Sequence, residues 1–82
     1  MASGNYLIWL NGRELWAYVV ELADGLRFQV SADDWERMGY ARGRRVPVRL
    51  PGKADVWLFV AEVVELPPVV WVVLVKRVRA AG

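Results

Sequence analysis

The residues in this 82-residue chain best equipped for chemistry are arginines, and five gather in one segment: Arg37, Arg42, Arg44, Arg45 and Arg49. A guanidinium stays charged, offers a planar fork of donors and lies flat on aromatic rings. Trp35 and Tyr40 share the segment and could stack on a base or a sugar. Cations that neutralise phosphate and rings that stack are the two working parts of a nucleic-acid or cyclic-dinucleotide site. The expected anion-binding set is therefore Arg42, Arg44, Arg45 and Arg49 with Tyr40. The competing expectation is bland: Asp33, Asp34 and Glu36 lie close in sequence and could pair with these arginines, leaving a salt-bridged, solvated surface. A second basic stretch, Lys76-Arg77-Val78-Arg79, reads as a cationic guard on a strand end.

Other chemistries have little to work with. The chain has no Cys and no His, which removes disulfides, thiolate metal sites, the commonest general base and the commonest metal ligand. Ser3 and Ser31 are the only serines, and threonine is absent. Glu62 and Glu65 alternate onto opposite faces of a strand, so they do not form an acid/base pair. No glycine pattern resembles a phosphate-binding loop. The expectation is a non-enzymatic protein that uses no cofactor and no metal.

These side chains must be positioned by strands. Asn11-Gly12, set between two apolar runs, is the preferred pair for a two-residue type I′ turn, because both positions need positive φ. Asn5–Leu10 and Glu14–Leu22 then form a hairpin, and Ala23-Asp24-Gly25 extends it to a third strand, Leu26–Val30. Leu26, Phe28 and Val30 point inward there, Arg27 and Gln29 outward. The period changes at Ser31: an N-cap hydroxyl, Asp34 three residues on, and Gly39 as a stop define a helix of about two turns. Trp35 and Met38 share one face of it.

Three more strands follow: Arg45–Leu50, Val56–Leu66 and Val69–Val78. In the first, Val46, Val48 and Leu50 point inward, and Pro47, which lacks a donor, predicts an edge or bulged position. Glu62 and Glu65 suggest a bulge in the second. Pro67-Pro68 links it to the third, and Arg79–Gly82 is expected to fray. The fold class expected is all-β: a single domain, residues 1–82, forming a small six-stranded antiparallel barrel with one short helix between strands three and four.

Apolar surface is in surplus. In the last strand Val70, Val72 and Leu74 occupy one face, and Val69, Trp71, Val73 and Val75 the other. The strand before it sets Val56, Leu58 and Val60 against Trp57, Phe59 and Val63. A single-layer barrel covers only one of these faces, so a partner is expected on the other, most simply a second copy of the chain. Trp9, Trp57, Trp71 and Val73 are the expected interface residues, since tryptophan dominates many binding surfaces. This self-association or protein docking is the preferred function, with the Arg42–Arg49 anion site as the alternative.

The run Met38-Gly39-Tyr40-Ala41-Arg42-Gly43-Arg44-Arg45-Val46-Pro47-Val48-Arg49-Leu50, then Trp57–Val64 and Leu66-Pro67-Pro68, resembles the N-terminal barrel domain of flagellar-brake (YcgR-like) PilZ proteins. A looser likeness of the Gly39–Val46 stretch is to swapped-hairpin DNA-binding barrels of the AbrB type. The PilZ resemblance implies a barrel that serves as an interaction partner in cyclic-di-GMP-type signalling. That family grips its nucleotide with Arg-x-x-x-Arg, whose spacing recurs as Arg45-Val-Pro-Val-Arg49, but inside a predicted strand rather than a linker. The family's second motif, Asp/Asn-x-Ser-x-x-Gly, does not occur.

The remaining bounds are broad. The net charge is only +2, and nine of the eleven cations are Arg, with two Asn and one Gln. Scarce amides fit a GC-rich or thermophilic source. Met1–Asn5 lacks the charged start of a secretory signal. Glu62, Glu65 and the proline pair break the apolar stretch 56–75 and leave Val69–Val75, far short of the roughly 20 residues a spanning helix needs. A soluble, cytoplasmic protein with no membrane association is expected.

Overall fold

The computed structural model describes residues 3–77. The chain order is β1 (Ser3–Leu10), β2 (Arg13–Leu22), β3 (Gly25–Ser31), α1 (Ala32–Met38), β4 (Arg45–Arg49), β5 (Val56–Leu66) and β6 (Val69–Val75). Every neighbouring pair is antiparallel, and the strands close in the order β1-β2-β3-β6-β5-β4. Two three-strand meanders thus meet along the β3–β6 and β4–β1 seams, and closure removes the free edges that such apolar strands would expose.

Local chemistry sets each element. Asn11 and Gly12 take φ of 51° and 80°, the positive pair a type I′ turn requires. That turn fixes the whole β1–β2 register, from Leu10 opposite Arg13 to Ser3 opposite Val20. At the helix start, the Ser31 hydroxyl accepts a hydrogen bond from the Asp34 N–H at 3.1 Å. Asp33 and Asp34 occupy the first turn, where the helix dipole favours negative charge. Gly39 ends the helix in the left-handed conformation, its N–H donating to the Trp35 carbonyl. The Ala32 N–H donates to the Pro68 carbonyl at 2.9 Å, tying the helix start to the β5–β6 turn.

The barrel interior is apolar. Alternate residues of all six strands are buried, among them Ile8, Val19, Phe28, Val46, Val60 and Val72, and Trp35 of α1 packs against the same cluster. No polar side chain is buried among the described residues. Phe28 and Trp35 meet edge to face with centroids 6.1 Å apart, and Trp35 meets Tyr40 at 5.9 Å. The helix therefore plugs one end of the barrel with an aromatic chain.

Three expectations need correction. Pro47 does not mark an edge, since β4 pairs with both β5 and β1. Its carbonyl accepts from the Asn11 N–H at 2.8 Å, so its missing donor also faces β1, just past the two residue pairs that form this seam (Trp9–Arg49 and Leu10–Val48). Val63 does not share the outer face with Trp57. The ladder slips between Val60 and Glu62, so that Glu62 stands opposite Val73 and Val63 opposite buried Val72. One extra residue reverses the alternation, turning Val63 onto the core and Glu62 outward. Finally, β6 ends at Val75 rather than Val78, because the Lys76 N–H turns to the Asp24 carbonyl at 2.7 Å. The expected course of Val78 to Gly82 lies outside the described residues.

Among the described residues, no helix is long and apolar enough to cross a membrane.

Candidate docking surface of arginines and indoles

The outer face of β4 carries Arg45, Pro47 and Arg49, since Val46 and Val48 are buried on the other side. The strands beside it place one indole on each flank. Trp9 of β1 stands directly opposite Arg49, and Trp57 of β5 stands opposite Pro47, one step diagonal from Arg45. The Arg49 guanidinium lies 4.3 Å from the Trp9 ring centroid, and that of Arg45 lies 4.5 Å from the Trp57 ring. Both distances are well inside cation–π range, at about 0.5–1 kcal/mol for an exposed pair. Two residue sets that the sequence assigns to different roles, an anion site and an apolar interface, thus form one continuous surface.

The electrostatics of this surface differ from the bland expectation. Asp33, Asp34 and Glu36 do not pair with the arginines. Among the described residues the single ion pair is Lys53 to Glu21, at 2.8 Å. Arg45 and Arg49 are held by aromatic faces and keep their charge towards solvent. Glu14, opposite Trp9 on β2, is the acid that borders the surface.

The remaining candidates go elsewhere. Arg44 lies 5.5 Å from the Tyr40 ring, which also meets Trp35, so Tyr40 belongs to the aromatic plug. Arg42 lines a cleft of about 540 Å³ whose walls include Asp24, Phe59, Glu62, Val73 and Val75. Trp71 and Val73 project from the outer side of β6, where Arg27 lies 5.1 Å from the Trp71 ring and Tyr18 meets it edge-on at 6.1 Å. Trp71 therefore does not join Trp9 and Trp57. The outer face of β6 is less bare than the alternation implies: Val75 is buried, and Val73, Trp71 and Phe59 are half-buried.

One residue went unassigned in the sequence. Trp16, on β2, is the most exposed large apolar side chain among the described residues, at 71 %. It stands opposite Leu7 and one diagonal step from Trp9, so it extends the surface across β1. The type I′ turn already contained this information. A two-residue turn at Asn11-Gly12 pairs positions 10 and 13, and counting outward pairs 7 with 16. Arg27 over Trp71 was hidden for a different reason, because the β3–β6 pairing is not set by any local turn.

Among the described residues, no three His, Cys, Asp or Glu side chains gather where they could hold a metal ion. Searches of protein-family models, curated proteins and solved structures find no match to this chain, so the likeness to PilZ barrels rests on the residue patterns within 38–68.

Proposed function

We propose that the chain is a non-enzymatic interaction module that docks a partner through the outer face of β1, β4 and β5. The observation that carries this reading is the row Trp9, Arg49, Arg45 and Trp57, with guanidiniums seated on indoles and unpaired to carboxylates. Trp and Arg are the side chains that most often dominate binding energy at interfaces. Each guanidinium is already ordered by its ring, which lowers the entropy lost on binding. A place beside cyclic-di-GMP-type signalling is what the PilZ resemblance adds to this proposal.

Amide chemical-shift mapping of the full chain against a panel of polyanions, polycations and apolar peptides tests the reading. Shifts concentrated at Trp9, Arg45–Arg49 and Trp57 are expected with the polyanions. A panel that perturbs only other regions overturns it.

Self-association is the second reading, favoured by the half-buried strip of Trp71 and Val73 on β6 with Phe59 of β5. Light scattering at two protein concentrations separates the two. A dimer converted to monomer by Trp71→Glu supports association through β6, and a monomer at both concentrations removes it.

A further inference from the structure

We propose that the partner of the arginine–indole face is single-stranded nucleic acid. The inference rests on the docking role proposed above for this face and names its occupant.

A second copy is a poor occupant for this face. A two-fold contact is self-complementary, so it would bring Arg45 and Arg49 of one protomer towards the same pair of the other. Like-charge juxtaposition disfavours that arrangement. The occupant must therefore be anionic. It must also satisfy flat, exposed rings, because Trp57 is 52 % exposed and Trp16 71 % exposed even with Arg45 seated over the former.

A polymer that repeats both features, a charge and a planar ring in each unit, is a single-stranded nucleic acid. Bases stack on aromatic platforms whatever their sequence, and cations track the backbone. The spacing suits such a ligand. Trp9 and Trp57 flank one strand and are offset by two residues along it. At about 4.8 Å between strands and about 3.3 Å per residue, their backbones lie roughly 12 Å apart. That distance spans about three nucleotides at the 3.4 Å stacked rise. Both arginines lie on β4, the strand between the platforms, Arg49 level with Trp9 and Arg45 two residues past the level of Trp57, so the phosphates would run along β4. Duplex DNA buries its ring faces in the stack and offers the indoles nothing.

The test is fluorescence anisotropy of the full chain with a labelled oligothymidylate of about 12 nucleotides, at a series of salt concentrations. Binding is expected at low salt, with log K falling against log salt at a slope of at least about −1.4, two phosphates at about −0.7 each. Arg45→Gln and Arg49→Gln should each flatten the slope by about 0.7. Trp57→Ala and Trp9→Ala should each weaken binding roughly 5- to 150-fold while leaving the slope in place. Arg45→Lys keeps the charge and loses the planar fork, so it should retain the slope and lose affinity. Circular dichroism of each variant confirms that the barrel is intact.

Equal affinity for the duplex, or capture of a cyclic dinucleotide but not the oligonucleotide, overturns the proposal. A polyglutamate arm separates its failure from that of the docking role. If polyglutamate binds and needs Arg45 and Trp57 while the oligonucleotide does not bind, the face docks an acidic polypeptide and the nucleic-acid assignment falls. If neither polymer depends on these residues, both readings fall.

Discussion

Replacing Gly25 by alanine tests the closed barrel at its tightest point. Gly25 stands opposite Val75 at the β3–β6 seam, yet it has no positive φ to justify a glycine. What requires it is space. A Cβ there would collide with the Leu74 carbonyl oxygen and would lie 2.9 Å from both Leu74 C and Val75 Cα. All three are backbone atoms and cannot swing aside as a side-chain tip would. Restoring ordinary contact near 3.5 Å forces the strands apart by on the order of an ångström. That opening breaks the 2.7 Å bond from the Lys76 N–H to the Asp24 carbonyl and strains the ladder beside it. Lost hydrogen bonds at about 1 kcal/mol each, added to the strain of overpacking, come to roughly 2–4 kcal/mol. For a domain of this size the midpoint of thermal melting falls by roughly 10–25 °C. Urea unfolding followed by tryptophan fluorescence, with midpoint and slope both fitted, reads the change directly. Gly4→Ala is the control, because a Cβ there meets only the Tyr6 ring at 3.4 Å, an ordinary contact. A Gly25→Ala protein within about 0.5 kcal/mol of the parent would refute the close approach of β3 to β6.

Further outcomes follow from the same structure. Ser31→Ala removes the acceptor of the Asp34 N–H and should cost about 1 kcal/mol in a denaturant melt, whereas Ser31→Asp should restore most of it. Deleting Ala61 removes the extra residue of the bulge and makes Val60–Leu74 and Glu62–Val73 consecutive pairs, so Glu62 stays outward and Val63 stays on the core; a cooperative thermal transition retained in calorimetry is expected, and its loss would contradict this register. Lys53 has its pKa raised from the ordinary 10.5 by its hydrogen bond to Glu21 and then by that carboxylate's charge. A raised folded-state value means the stabilisation is complete below 10.5 and is lost as pH climbs through the folded pKa. Lys53→Gln should therefore lower neutral-pH stability slightly, a small effect because the pair is exposed, and the difference from the parent should vanish as pH climbs through the folded pKa.

Much of the fold could be read from local chemistry. Asn11-Gly12 dictated the first hairpin because few other pairs accept positive φ twice, and Ser31, Asp34 and Gly39 bracketed the helix by the groups that satisfy its ends. Strict alternation gave the inward residues of β3 and β4. What resisted was anything decided by non-local pairing. Pro47 looks like an edge residue in isolation, and only the short β1–β4 seam explains how a strand with two neighbours tolerates it. Val63 was misplaced because a bulge adds one residue without changing local composition. The candidate site resisted for the same reason. Arg45 and Arg49 share a strand face by spacing, but their partners, Trp57 and Trp9, come from strands on either side and are fixed by register. Sequence neighbours Asp33, Asp34 and Glu36 were the obvious partners and the wrong ones.

The central claim is that arginines and indoles of β1, β4 and β5 act as one surface. A double-mutant cycle on oligonucleotide binding, pairing Arg45→Gln with Trp57→Ala, measures that directly. Residues in contact that act together should show a coupling of about 0.5–3 kcal/mol. Effects that simply add, or single variants that bind as the parent does, would contradict it.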